Sequence, residues 1–102
     1  FKENCPDFRN SGSLKLYNEL KTNGYDVDVY DPRVDIHKAK SIYSIEPILE
    51  PKEGIYDAII LATSHKEFKD MGLKRIKSFG KELHLLYDMK YIFNSKDVDA
   101  RL

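Results

Sequence analysis

The chain has 102 residues, of which 41% are hydrophobic, enough for one compact domain over residues 1–102. Seventeen basic residues balance seventeen acidic ones, so no net charge attracts nucleic acid or an anionic membrane surface. The single Cys excludes an internal disulfide, and no apolar run approaches the roughly 18 residues of a membrane span, so we expect a cytoplasmic protein. Because the chain starts at Phe1 rather than Met, we interpret it as a fragment of a longer protein.

The first half of the chain predicts one helix, one strand and a second, shorter helical segment. Asn10 or Ser11 can cap a helix over residues 14–21 that stops at Gly24. Strict alternation over residues 25–30, followed by an Asp-Pro stop, is typical of a half-buried strand near a sheet edge. A short helix or turn over residues 36–43 and a connection over residues 44–54 follow.

The second half predicts two strands with a helix between them. Residues 57–63 are apolar on both faces, as in a strand covered by helices on each side. Ser64 caps an amphipathic helix that ends near Gly80, and residues 83–87 form the next strand. The candidate core positions of that helix are Phe68, Met71, Leu73, Ile76 and Phe79. Strands that alternate with helices predict an α/β fold, a doubly wound layer structure around a mostly parallel sheet. The first central strand of that sheet is predicted to be truncated, with Phe1 as its last residue.

A crevice for an anion is predicted where the strands end, because the carboxyl ends of parallel strands share one edge of a sheet. Three segments meet at this predicted edge: residues 1–2, 63–65 and 88–90. Lys2 and Lys90 can supply charge to a pyrophosphate, while the forked donors of Arg9 suit a phosphate or carboxylate. The alternative is that these are ordinary solvated basic residues.

Other candidate groups have structural interpretations. Asp7 can bond its own backbone or pair with Arg9, and Cys5 has no base placed beside it by spacing, which favours an inert thiol. His65 follows a strand and starts a helix, yet its place beside the capping Ser64 explains it equally well. The three scattered His and one Cys give no metal spacing, and no G-x-G-x-x-G or P-loop is present.

The chain resembles the C-terminal domain of the UDP-glucose/GDP-mannose dehydrogenase family along nearly its whole length. The resemblance is carried in order by residues 1–11 (FKENCPDFRNS), 29–32 (VYDP), 56–62 (YDAIILA), 65–68 (HKEF) and 87–90 (YDMK). The opening segment most resembles the branch that oxidises UDP-N-acetylhexosamines for bacterial surface polysaccharides. The resemblance implies a degenerate Rossmann-like, three-layer domain that holds the uridine diphosphate part of the substrate.

For the whole enzyme, the resemblance implies NAD-dependent, two-step oxidation of the sugar C6 alcohol to a carboxylate, through an enzyme-bound thiohemiacetal, and a homodimer. The nucleophilic Cys and the NAD domain belong to upstream segments, so Cys5 is not that nucleophile and the fragment alone is expected to be inactive.

The resemblance also assigns roles to single residues. Phe1 and Lys2 match the substrate-contacting pair of the family, Arg9 matches the arginine that reaches NAD, and Lys90 stands where relatives carry a basic residue directed at the substrate. Tyr91 departs from the glycine common after that lysine, and Ala100 from the glycine of a D-G-R-L ending.

Two other classes remain as alternatives. A phosphoacceptor receiver domain also has strands that end in Asp, Thr and Lys, which Asp31, Thr63 and Lys90 superficially fit. The chain lacks the adjacent acidic pair that binds magnesium in receivers and the Lys-Pro turn after their last strand, and shared architecture alone does not carry function. A structural assembly module without a ligand is the third possibility.

Overall fold

The computed structural model describes residues 12–101, except for the side chains of Ile42, Tyr43 and Arg101. Internal contacts divide the chain into two compact units, Phe1–Glu50 and Pro51–Leu102. The helices and strands, in chain order, are α1 (Gly12–Thr22), α2 (Ile36–Tyr43), β1 (Tyr56–Leu61), α3 (Lys66–Met71), α4 (Leu73–Lys77), β2 (Gly80–Asp88), a 3₁₀ turn (Ser95–Asp97) and β3 (Ala100–Arg101). Within the described part of the chain, no helix is long and apolar enough to cross a membrane.

The helices of the first unit agree with the sequence pattern. Helix α1 ends before Gly24, which adopts a φ of +87° and allows the Tyr25 N–H to donate to the Leu20 carbonyl over 3.1 Å. Helix α2 starts after Asp35, whose Oδ1 accepts from the backbone N–H groups of residues 37 and 38. The predicted caps of α1, Asn10 and Ser11, lie outside the described residues. Ala39 and Ile45 form the buried core, and Leu14, Tyr17, Val29 and Val34 pack against it.

The prediction of a strand over residues 25–30 is wrong. Residues 25–30 form no strand with the described part of the chain, although the Ile48 N–H donates to the Val29 carbonyl over 2.8 Å. Alternation of polar and apolar side chains indicates a half-buried segment, but a strand also needs a neighbour that pairs with its backbone. Val29 accepts one backbone bond of this kind, from Ile48.

The second unit contains a parallel sheet in the order β1-β2-β3. Strand β1 pairs with β2 from Ala58 opposite Leu85 to Leu61 opposite Asp88, and β3 pairs with the end of β2. The polypeptide between β1 and β2 is helical, as a crossover between parallel strands requires. The α/β fold class with a parallel sheet and flanking helices is therefore confirmed.

The predicted single helix after β1 is instead two short helices. Gly72 lies between α3 and α4 with φ +87° and ψ 155°, a conformation that interrupts the helix and that glycine adopts without strain. Helix α3 begins at Lys66, so its cap position falls on His65 rather than on the predicted Ser64. The His65 side chain makes no capping hydrogen bond.

One face of the sheet carries the core of this unit. Leu61, Ile76 and Leu86 are buried, and they are packed by Ile59, Met71, Leu73, Ile92, Phe93 and Val98. On β1, Ile60 is 37% exposed, and on β2 Leu83 is 89% exposed. The prediction that β1 is buried on both faces therefore holds for one face, the face that α4 and residues 92–98 cover.

Two leucines of β2 provide a matched test of this packing. We expect Leu86→Ala to lower the free energy of unfolding by about 2–5 kcal/mol, because a fully buried side chain leaves a cavity. Leu83→Ala should change it by less than about 0.5 kcal/mol, since that side chain is exposed. Urea unfolding followed by circular dichroism measures both, and equal effects would contradict the assigned core.

Candidate functional site

Strands β1 and β2 end at the same edge of the sheet. Their last paired residues are Leu61 and Asp88, and the Met89 N–H donates to the Leu61 carbonyl over 3.1 Å, which extends the contact past the strands. Residues 63–65 and 88–90 therefore follow neighbouring strand ends, as predicted. The third predicted segment at this edge, Phe1 and Lys2, lies outside the described residues, and so does Arg9.

A turn over residues 88–93, here called the 88–93 turn, is organised by one buried carboxylate. Asp88 is 0% exposed. Its Oδ1 accepts from the Lys90 N–H over 3.2 Å, and its Oδ2 accepts from the Phe93 N–H over 2.9 Å. A buried carboxylate needs such donors, and bonds to an ionised acceptor are stronger than bonds between neutral groups. Both carboxylate oxygens are thus bonded to the backbone of the turn.

Tyr91 lies between these two bonds and has a left-handed backbone. Its φ is +55°, which is uncommon for a residue other than glycine, and its side chain is 53% exposed. The turn thus has at position 91 the conformation that glycine adopts most easily, although tyrosine stands there. Lys90 precedes it and is exposed at the edge of the sheet. Ala100, the other departure from the family pattern, lies in β3, whose extended backbone does not require glycine.

The segment after β1 contributes buried polar side chains. Thr63 is 4% exposed and His65 is 0% exposed, and the His65 ring lies 5.7 Å from the Phe68 ring between centroids. A Rossmann fold that binds a dinucleotide has glycines where its backbone approaches the pyrophosphate closely, and residues 63–65 contain no glycine. The turn after β1 therefore does not fit NAD bound in that manner.

The remaining candidates have local structural partners. Asp31 is 8% exposed and its Oδ1 accepts from the Arg33 N–H over 2.8 Å, so it shapes the Asp-Pro turn that the sequence predicts. His37 is exposed, and the Nδ1 of His84 lies 2.6 Å from the Lys81 carbonyl. Among residues 12–101 no three His, Cys, Asp or Glu side chains are grouped as metal ligands. Cys5 and Asp7 lie outside the described residues.

Sequence reasoning missed the structural role of a second Asp, which contacts β2 at Leu86 rather than at the end of the strand. Asp99 Oδ2 accepts from the Leu86 N–H over 2.7 Å, and the Asp99 N–H donates to the Leu86 carbonyl over 2.9 Å. This double contact aligns the chain ahead of β3 with β2. Asp99 is the first residue of the ending that resembles the family's D-G-R-L pattern, but that pattern does not indicate which backbone group its carboxylate binds. Asp88, at the end of an apolar strand, is a recognisable turn position.

Comparison with known proteins identifies the family. The sequence model described as the UDP-glucose/GDP-mannose dehydrogenase family, UDP binding domain, matches residues 1–95. The chain belongs to this family. It is 45% identical over 102 residues to a UDP-N-acetyl-D-glucosamine 6-dehydrogenase of Salmonella typhi and 46% identical over 102 residues to one of Pseudomonas aeruginosa. These alignments cover 100% of the chain and 24% of each relative.

A more distant relative is Protein CapL of Staphylococcus aureus, 31% identical over 100 residues, which are 98% of the chain and 23% of that protein. The chain thus spans about a quarter of the length of these relatives. Membership of the dehydrogenase family removes the support for a receiver domain. The predicted roles of Phe1, Lys2, Arg9 and Lys90 remain predictions.

Removal of the Asp88 carboxylate tests how the 88–93 turn is held. We expect Asp88→Ala to lower the free energy of unfolding by about 2–4 kcal/mol, because two backbone N–H groups lose a buried acceptor. Asp70→Ala, at an exposed position of α3, should change it by less than about 0.5 kcal/mol. Denaturant unfolding of both variants is the measurement, and similar stabilities would argue against a bracing role for Asp88.

Proposed function

We propose that the chain is the UDP-sugar-binding domain of an NAD-dependent UDP-sugar 6-dehydrogenase that oxidises the C6 alcohol of a UDP-hexose or UDP-N-acetylhexosamine to a uronate. The observation that carries this proposal is the 45% and 46% identity over the whole chain to two enzymes named UDP-N-acetyl-D-glucosamine 6-dehydrogenase. The substrate in the names of these two enzymes favours the acetylhexosamine branch, which serves bacterial surface polysaccharide synthesis.

In this proposal the nucleotide lies against the carboxyl edge of the sheet, outside the ends of β1 and β2. Lys90 is exposed at this edge, on the turn that Asp88 holds, where an ammonium group can meet a diphosphate. Phe1 and Lys2 are proposed as further substrate contacts because they match the family's substrate-contacting pair. Ligands of open α/β sheets bind at this edge because the connecting loops diverge there.

The domain contributes binding and orientation to the reaction. Energy from the nucleotide end, remote from C6, can be used to position the sugar for chemistry elsewhere in the enzyme. NAD supplies the hydride acceptor when bound. Residues 63–65 do not fit a dinucleotide pyrophosphate, so the proposal places NAD mainly on parts of the protein outside this chain, with Arg9 as the contact from this chain.

The proposal extends to compartment and assembly. We place the full-length protein in the cytoplasm as a homodimer, since its substrates are soluble sugar nucleotides and dimers are common in the family that the sequence resembles. The single Cys of this part of the protein agrees with a reducing compartment.

Lys2→Ala in the full-length protein tests the substrate site. We expect about a tenfold rise in the Michaelis constant for the UDP-sugar with little change in kcat, because the lost charge contacts the nucleotide rather than the reacting carbon. Lys52→Ala, at an exposed position in the second unit, is the control and should change neither constant. Steady-state kinetics with varied UDP-sugar distinguish the two, and an unchanged Michaelis constant for Lys2→Ala would count against the proposal.

Arg9→Ala tests the contact with NAD. The variant should need about tenfold more NAD to reach half-maximal rate, since a charged donor to the cofactor is lost. Arg9→Lys keeps the charge but loses the forked geometry, and we expect an intermediate value. Cofactor titrations at saturating UDP-sugar provide the comparison, and identical curves for all three proteins would refute the role of Arg9.

A further inference from the structure

The backbone of the 88–93 turn is held at several points by hydrogen bonds. Asp88 is fully buried and uses its two carboxylate oxygens on two different backbone N–H groups of the turn, those of Lys90 and Phe93. The Met89 N–H is bonded to β1 at the Leu61 carbonyl. Three of the five residues after Asp88 therefore have their backbone N–H groups fixed to the sheet or to the carboxylate.

The same turn holds one residue in a strained conformation. Tyr91 has a φ of +55° between the two N–H groups that Asp88 binds. A non-glycine residue persists in this region only when its surroundings determine it, and such residues are concentrated at binding and catalytic sites. The bonds from Asp88 to the N–H groups of Lys90 and Phe93 hold the backbone on either side of Tyr91.

From this geometry we infer that Asp88 is a positioning residue for substrate binding: its carboxylate fixes the backbone at Lys90 so that the ammonium group meets the diphosphate of the nucleotide. The inference rests on the proposed function, in which Lys90 contacts UDP. Asp88 acts through Lys90 and does not touch the ligand. Its bond to the Lys90 N–H is the direct link between the buried carboxylate and the binding group.

A double-mutant cycle in the full-length protein tests this link, with UDP as the ligand and calorimetric titration as the measurement. Asp88→Asn replaces one acceptor oxygen with an NH₂ group, so one of the two backbone bonds is lost. We expect its dissociation constant for UDP to rise about tenfold, and that of Lys90→Ala to rise by a similar factor. The double variant should be no weaker than Lys90→Ala alone, because Asp88 acts only through Lys90.

Asp99→Asn is the matched control. It alters another Asp carboxylate that accepts a backbone N–H from β2, at Leu86, without touching the 88–93 turn. We expect its affinity for UDP to equal that of the unsubstituted protein. A loss of affinity in this variant equal to that of Asp88→Asn would mean that any weakening of the sheet has the same effect, and it would overturn the inference.

A pair of substitutions at Tyr91 tests the turn without disturbing the buried carboxylate, and it decides the matter if Asp88→Asn does not fold. Tyr91→Gly and Tyr91→Val both remove the ring, but only valine resists a positive φ. We expect Tyr91→Val to bind UDP several-fold more weakly than Tyr91→Gly, and the difference to vanish when Lys90 is also Ala. Equal affinities of the two variants would overturn the inference.

The outcomes separate this inference from the proposed function. If Lys90→Ala weakens UDP binding and Asp88→Asn does not, the positioning role fails while the UDP site stands. If Asp88→Asn still weakens binding tenfold in the Lys90→Ala background, Asp88 acts by another route and the inference is wrong. If Lys90→Ala binds UDP normally, Lys90 does not contact the nucleotide, and both its proposed role and its positioning by Asp88 are wrong.

Discussion

Parallel pairing of β1 with β2 is the constraint on which the rest of the second unit depends. It sets Leu61 opposite Asp88, so the turns after both strands begin at one edge. It also turns Leu86 toward the core, where α4 and residues 92–98 cover it. The Met89 N–H bond to β1 continues the pairing into the 88–93 turn. The position of Lys90 is thus a consequence of strand register, and the Asp88 carboxylate refines it.

The sequence predicted the elements whose signals are local and strong. The apolar runs of β1 and β2, the glycine end of α1 and the turn at Asp31 are each encoded within a few residues, and the structure contains them. The prediction of a strand over residues 25–30 was wrong because a strand needs a pairing partner, and alternation of polar and apolar side chains does not specify one. The prediction of one continuous helix after β1 was wrong at Gly72. The helical pattern of apolar residues continues across this position, but the backbone of Gly72 is not helical.

Part of the candidate site could also be predicted from the sequence. The order of strands and helices placed residues 63–65 and 88–90 at one edge, because parallel sheets align their carboxyl ends. The bonds of Asp88 to Lys90 and Phe93 could not be read from sequence, since they depend on how the chain folds back after β2. Tyr91 illustrates the point: tyrosine replaces the glycine that is common at this position in the family, yet its φ of +55° keeps the backbone that glycine favours.

The irregular start of β2 has a consequence for how this family can vary. Between the pairs Tyr56–Gly80 and Ala58–Leu85, β1 advances by two residues while β2 advances by five, so the pairing is irregular over this stretch. Regular register resumes at Leu85 and continues to Asp88. Insertions or deletions within this irregular stretch can therefore be absorbed locally, and homologues of unequal length at this point can keep the same edge of the sheet.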